Sequence, residues 1–477
     1  MKHMIPKKGR VSSAALLALC LFLAAGIAGA ATPFAKENAP TFLKTVLTNG
    51  IPVYMKVQRA NQVFHISLVL RGGSLVTPPE RAGWEAVALK TMVRSSQAYP
   101  YEKAAALLDR TSSSISAETQ FEYSTFSLTT LDKYIETLLP LWGDMLTAPA
   151  FDEHDFEQIK EEALLALQSK EQNPWSTTQK LINEEFFRGH PYSVTPEGTE
   201  KTLEPMAPAD ALAWYRRAFS ADRIFVVAVG NFDPVALARN LESLLSSIPN
   251  LALGPAPRPS AFARLSSGRI LTQPHDQSKG TIYLRGDFPA PAPDSEDFFP
   301  AALAARMFSD LLFSVVRDKY GAVYTPSAQI RNFTANYGSI IIYKTSQPES
   351  IKRYIDEAAK AFSQGRVVSV DPAKTDPDGF MPLEDALDAY RQIYMNEYFE
   401  AVQNNAAIAG LMIRSVIRTG DPASWLKDQE RIESISAGQV RSAFDTWMRK
   451  GTFLWMAVGD RQLLDRLPLG DFEAFRF

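Results

Sequence analysis

Cysteine occurs once in 477 residues, at Cys20, and one thiol excludes a disulfide framework. No G-x-S-x-G elbow, P-loop or Rossmann glycine pattern is present, so serine-hydrolase, phosphate-loop and dinucleotide chemistries lack their local machinery. Basic residues are not in excess: 50 Lys and Arg face 53 Asp and Glu, for a net charge of −3, a poor balance for binding nucleic acid. With 46% hydrophobic and 22% charged residues, the composition is that of a globular protein long enough for two or more domains.

The N-terminus is different. Lys2, Lys7, Lys8 and Arg10 precede the uncharged 17-residue run AALLALCLFLAAGIAGA, which ends in Ala28-Gly29-Ala30. This order is that of a secretory signal peptide over residues 1–30, cut after Ala30. The alternative is a membrane anchor, at the short limit for crossing about 30 Å of hydrocarbon. Cleavage removes four of the 50 basic residues and none of the 53 acidic ones, leaving a net charge of −7 and no thiol nucleophile. The expected product is exported, periplasmic in a Gram-negative cell, with no membrane association after cleavage.

Downstream, TVLTNGIPVYMKVQ places strand residues around Asn49-Gly50, a strong hairpin signal. HISLVLRGGSL is a strand closed by Gly72-Gly73, and in GWEAVALKTMVRSS the residues Trp84, Val87, Ala88, Thr91 and Met92 recur at helical spacing. SISAETQFEYSTFSLTTL reads as paired strands, DEHDFEQIKEEALLALQSKEQNP as a long helix stopping before Pro174, and RIFVVAVG as a buried strand. Together these predict an α+β fold, a mainly antiparallel sheet with helices packed on one face.

The Pro/Ser/Gly-rich stretch 251–268 reads as a linker. Beyond it the pattern returns. GTIYLRGDF echoes HISLVLRGG, and Met206 and Gly230, like Ile435 and Gly459, stand 24 positions apart across a helix then a strand. The expectation is a two-fold duplication, with domains over 41–250 and 269–477. The second half carries its own insertion, DPAKTDPDGFMP, which reads as an exposed loop.

The duplicated unit, the LTNGIPV opening, GHPY at Gly189–Tyr192 and the VVAVGNF strand resemble the insulinase/pitrilysin metallopeptidase superfamily, especially its members similar to the mitochondrial processing peptidase. The resemblance implies two like domains forming half of a clamshell. Peptidases of that family carry H-x-x-E-H on the first helix, where two histidines one turn apart bind zinc and the glutamate takes a proton from the bound water. Here the corresponding positions are Ala86, Leu89 and Lys90, and the third ligand position is Ala166. Gly83 to Ser96 contains no histidine in any register. The H-x-x-E at His154–Glu157 ends in Gln158 at a helix start, where a solvated acidic face is the ordinary reading. Zinc lowers the pKa of its water from about 15.7 to about 7, worth roughly 12 kcal/mol of nucleophile activation. No remaining side chain replaces that, so no catalytic residue, metal site or cofactor is expected in this chain.

LLFSVVRDKYGAVYTPSAQI resembles the family's R-E-x-x-G-x-x-Y segment, with Arg317 and Tyr324 seven residues apart and Gly321 between. Taken alone, an Arg at a helix C-terminus complements the dipole and a Tyr in a strand is commonly core. The resemblance implies instead that both hold the substrate backbone beside the scissile bond. The glycine-rich loop that often precedes this helix in the family is missing, since AARMFSDLLF contains no glycine. His190 reads as a turn histidine, and His65 as a core or edge residue of its strand. Two functions are compatible with these readings. One is a non-catalytic subunit of a heterodimeric zinc metallopeptidase acting on peptides, with zinc in a homologous partner chain and Arg317 and Tyr324 supplied in trans. The other is an inactive scaffold or peptide-binding protein without such a partner.

Overall fold

The structure is a computed structural model, and it describes residues 42–474. The signal-peptide expectation for residues 1–30 lies outside the described residues. The first half builds a six-stranded sheet from β1 (Phe42–Val46), β2 (Pro52–Val57), β3 (Val63–Arg71), β4 (Ser114–Thr119), β5 (Tyr123–Leu131) and β6 (Ile224–Gly230), in the order β1-β2-β6-β3-β5-β4. The second half builds a five-stranded sheet from β7 (Arg269–Pro274), β8 (Ile282–Pro289), β9 (Val323–Ile330), β10 (Tyr337–Thr345) and β13 (Leu454–Gly459), in the order β7-β13-β8-β10-β9. In each sheet one pair is parallel, β2 with β6 and β7 with β13, and the other pairs are antiparallel. Removing β1 superimposes one strand order on the other, so the repeat legible in the sequence is a repeat of topology. The echoing segments occupy equivalent places: β3 lies between β6 and β5, and β8 between β13 and β10.

The longer helices of the first half are α1 (Trp84–Arg94), α2 (Tyr101–Thr111), α3 (Ile135–Thr147), α4 (Glu153–Glu171), α5 (Pro174–Phe186), α6 (Pro208–Ala218) and α7 (Pro234–Leu245). Those of the second half are α8 (Phe298–Leu312), α9 (Pro348–Ser363), α10 (Leu383–Ala401), α11 (Asn405–Thr419) and α12 (Ala437–Ala443). The break between α4 and α5 is set by Asn173-Pro174. Asn173 accepts the amide protons of Trp175 and Ser176, while Pro174 takes the first helical position, where its missing N–H costs nothing.

Alternate residues along the strands divide between two faces. Ile66, Leu68 and Leu70 of β3 join the core under the helices of their own half, and Ile282, Leu284 and Phe288 of β8 do the same in the second. The sequence predicts helices on that face alone. The opposite face is covered as well, by one helix lent from the other half. Ile408, Met412, Ile413 and Val416 of α11 pack on Tyr54, Val69, Phe225 and Val227. Reciprocally, Ile182 and Phe186 of α5 pack with Tyr337, Leu454, Met456 and Val458. Burial on both faces explains why β6 reads as the unbroken apolar run IFVVAV, without the alternation of a half-wet strand.

The connecting segment has no regular element between Leu245 and Arg269, yet it is pinned by Phe262, which meets Phe186, Phe187, His190 and Tyr337. The 371–382 insertion is exposed for most of its length. Its base is closed by the two-stranded pair β11 (Arg366–Val368) and β12 (Phe380–Pro382) and by Arg366, which ion-pairs with Asp376 and Asp378.

Candidate functional site

Helix α1 starts at Gly83, whose φ of +84° is left-handed and whose Cβ would stand 2.6 Å from the Cα of Gly198, so only glycine fits this crossing. The crossing is locked by Trp84, whose indole N–H donates to the Thr202 carbonyl at 2.8 Å, and by Thr202, whose hydroxyl donates to the Ala82 carbonyl at 2.8 Å. Val87, Ala88, Leu89 and Met92 then face the core, and α4 packs alongside. The geometry that could carry two helix-borne ligand sets is therefore present, but the donors are not. Ala86 is half-buried, Leu89 is core, and Lys90 and Ala166 are exposed. One ammonium and three hydrocarbon side chains do not fit a zinc ion, which needs thiolate, imidazole or carboxylate ligands. His154 and Glu157 are exposed at the start of α4, and Glu157 is paired with Lys160.

Glu85, one residue before the first motif position, turns inward. It is buried, and the Ser124 hydroxyl donates to its carboxylate. Burial raises its pKa to about 7 against the opposing effects of Ser124 and the charge of Arg223. Beside it opens a cavity of about 310 Å³ walled by Trp84, Trp214, Arg71, Arg81, Arg217 and Arg223. Arg81 lies over the Trp84 ring at 5.2 Å and Arg71 over the Phe225 ring at 4.5 Å. Arg223 donates to the Gly254 and Leu253 carbonyls, and Arg217 to the Ala213 carbonyl. Sequence reasoning missed this site because its walls come from segments spread between Leu70 and Leu253, no two of which form a motif.

In the second half, α8 continues through a π-helical turn, Phe313–Lys319, as the segment AVYTPSAQI leaves along β9. Gly321, at φ +59°, makes the turn and donates its N–H to the Arg317 carbonyl at 2.8 Å. The helix end is held by Glu357, which accepts from Lys319 at 2.6 Å and Tyr320 at 2.7 Å, and by Tyr320 stacked on Tyr354 at 3.9 Å. Arg317 and Tyr324 come together: the guanidinium carbon lies 5.1 Å from the Tyr324 ring centre and 4.3 Å from that of Phe313. Tyr324 is 71% exposed, and β9 is the last strand of its sheet. The pair thus stands on an open edge, with the cation seated between two aromatic faces. Among the described residues, none from this half walls the cavity beside α1.

The two histidines singled out by sequence are structural. His65 is buried on β3 between Thr129 and Ser67, at 2.8 and 2.9 Å, and burial lowers its pKa to about 4, so the ring is neutral. His190 accepts from the Tyr192 amide at 3.1 Å and meets the Ser260 carbonyl at 2.9 Å, tying the turn to the connector. Tyr192 in turn donates to Glu122, which also accepts from the Thr334 amide at 2.8 Å, so the GHPY turn stitches the halves together.

Two family models match the sequence: insulinase (peptidase family M16) over residues 53–200 and the peptidase M16 inactive domain over residues 206–365. No curated protein matches. Among solved structures, the chain is similar to the peptidase M16 inactive domain from Pseudomonas fluorescens, at 16% identity and a TM-score of 0.76, over 88% of this chain and 98% of that one. It is similar to a chain of complex III2 from Candida albicans with Inz-5 bound, at 16% identity and a TM-score of 0.73, over 90% and 98% of the two chains. It also matches the periplasmic protease PqqL from Escherichia coli, at 17% identity and a TM-score of 0.70, over 94% of this chain and 51% of that one. At these identities the likeness is one of fold.

Proposed function

The chain belongs to the insulinase (peptidase M16) superfamily as a non-catalytic member, and from that premise we propose that it is the substrate-positioning subunit of a two-chain zinc metallopeptidase. The observation that carries this reading is the pairing of Arg317 with Tyr324 on an exposed edge, in a chain whose four metal-ligand positions hold Ala86, Leu89, Lys90 and Ala166. Both rings are accessible to solvent, Tyr324 at 71% and Phe313 at 36%.

In this reading a peptide lies extended along β9, where an edge strand offers its backbone to a partner strand. The Arg317 guanidinium donates to a peptide carbonyl, and the Tyr324 phenol donates beside the bond to be cut. The homologous partner chain bears the zinc. Export of the mature chain, periplasmic in a Gram-negative cell, follows from the N-terminal segment and is in keeping with the fold likeness to a periplasmic protease. A second reading, an inactive scaffold or a peptide-binding protein with no peptidase partner, draws support from the likeness to a chain of complex III.

The test is co-purification with a zinc-bearing homologue, then turnover of a quenched peptide library. Elemental analysis should assign the zinc to the partner, with no stoichiometric zinc in this chain alone. Arg317→Ala and Tyr324→Phe should each leave the complex assembled and lower turnover by about 10²–10³-fold, or roughly 3–4 kcal/mol of transition-state stabilisation. Full activity of the mutant complexes, or of the partner alone, would favour the scaffold.

A further inference from the structure

We propose that the arginine-lined cavity beside α1 binds an organic carboxylate, with the carboxylate held by the guanidinium groups and its apolar body against Trp84 and Trp214. Four arginines, Arg71, Arg81, Arg217 and Arg223, wall a space of about 310 Å³, the lower end of the range of small-molecule sites; the Arg71 guanidinium is turned to Phe225, which leaves Arg81, Arg217 and Arg223 to meet a ligand. Among the described residues none of the four makes an ion pair. Among the described residues the one acidic wall residue is Glu85, and the Ser124 hydroxyl donates to it. Apart from the Coulomb attraction between Arg223 and Glu85, the positive charge of the cavity has no ion-pair partner among the described residues.

The groups are also held ready. Arg223 is fixed by the Gly254 and Leu253 carbonyls. Its Nη1 stands 3.3 Å from where a Cβ on Gly72 would be, so the bare backbone at Gly72 leaves that nitrogen room. Arg81 is laid on the face of Trp84 at 5.2 Å. Planar guanidinium forks match a carboxylate with two parallel hydrogen bonds, while the indole walls favour an apolar body over a bare inorganic ion. This site shares no residue with Arg317 and Tyr324, so it stands or falls independently of the peptidase-subunit reading.

The experiment is calorimetric titration of the mature chain alone, without any partner, with tryptophan fluorescence as a second readout. The probes are N-acetylphenylalanine, its amide, inorganic phosphate and a pentapeptide with a free C-terminus. The free acid should bind, and the amide should bind at least about tenfold more weakly, as loss of a charge-assisted hydrogen bond predicts. The double variant Arg81→Gln/Arg217→Gln should weaken the free acid by a similar factor at unchanged melting temperature. Gln keeps a polar side chain without the charge at two positions that hold no backbone contact between segments, so the fold is expected to survive. Binding of the pentapeptide as well would assign the ligand to peptide C-termini, and its exclusion would assign a small free acid. Equal binding of acid and amide, equal binding by wild type and variant, saturation by phosphate alone, or no binding at all would each overturn the proposal.

Discussion

Two buried acids in this protein are handled in different ways. Asp287 on β8 meets Arg285 two residues earlier on the same strand face, with Nε and Nη2 donating to its two oxygens at 2.8 and 2.7 Å and Ser339 adding a third donor at 2.7 Å. Glu85 has only the Ser124 hydroxyl in contact and Arg223 at longer range, and burial raises its pKa from 4.5 to about 7. The folded protein therefore holds the Glu85 proton more tightly than the unfolded chain does. Its contribution to stability is complete below about pH 4.5 and is lost as the pH climbs through 7. The charged groups sharing its cavity are Arg71, Arg81, Arg217 and Arg223. Glu85→Gln keeps the shape and an acceptor for Ser124 while removing the titration. Relative to their difference at pH 5, the variant should gain roughly 2.5 kcal/mol on the wild type by pH 9. Urea midpoints measured from pH 5 to 9 check this, and parallel curves would mean that Glu85 does not titrate in the window. In the sequence Glu85 is an ordinary acid in the first turn of a helix. Only burial against β5, a strand almost forty residues away, gives it another character, and the Ser124 hydrogen bond offsets part of that effect. Ala86, Leu89 and Lys90 were legible without the structure because a missing histidine needs no geometry to be recognised.

At the scale of elements, local pattern specified most of what forms. The Asn49-Gly50 hairpin, the strand pair β4–β5, the stop at Asn173-Pro174 and the helix–turn–strand around Gly321 all follow from residues next to each other in the chain. The positions of α5 and α11 do not. In α11 the residues Ile408, Ala409, Met412, Ile413 and Val416 form one apolar stripe, which announces an amphipathic helix but not the surface it covers. That surface is the far face of the other half's sheet, formed by strands that precede α11 by more than 170 residues. Met412 is fully buried there. Met412→Ala should therefore cost about 2–5 kcal/mol, by lost burial plus the cavity left behind. Leu165→Ala, on the exposed face of α4 where Leu165 is 56% accessible, should change stability by no more than about 0.5 kcal/mol. Denaturant unfolding of the two variants separates them. Similar small losses for both would mean that α11 is only loosely seated.

At the scale of the molecule, duplication and helix exchange pull in opposite directions. Duplication suggests two domains, each able to fold alone, and the shared strand order supports descent of both sheets from one ancestral unit. Exchange makes each half depend on the other. Without α11, the first sheet exposes Tyr54, Val69, Phe225, Val227 and Val229. Without α5, the second exposes Leu454, Met456 and Val458. Apolar faces of this kind lead to association or collapse in an isolated domain. The halves are further joined by Glu185 with Arg269 at 2.7 Å, by Glu122 with the Thr334 amide, and by Phe262 in the aromatic cluster. The full chain should accordingly unfold in one cooperative transition, although a chain of this length would ordinarily show two. Fragments 42–268 and 269–477 expressed separately should be insoluble or lack fixed tertiary packing, and co-expression should recover a soluble complex. Calorimetry and near-ultraviolet circular dichroism report both properties. Two resolved transitions, or a folded monomeric fragment, would show that the lent helices cover the sheets without coupling them. Such an outcome would also bear on Arg317 and Tyr324, because a rigid link between the halves is what would hold the β9 edge at a fixed position toward a partner chain.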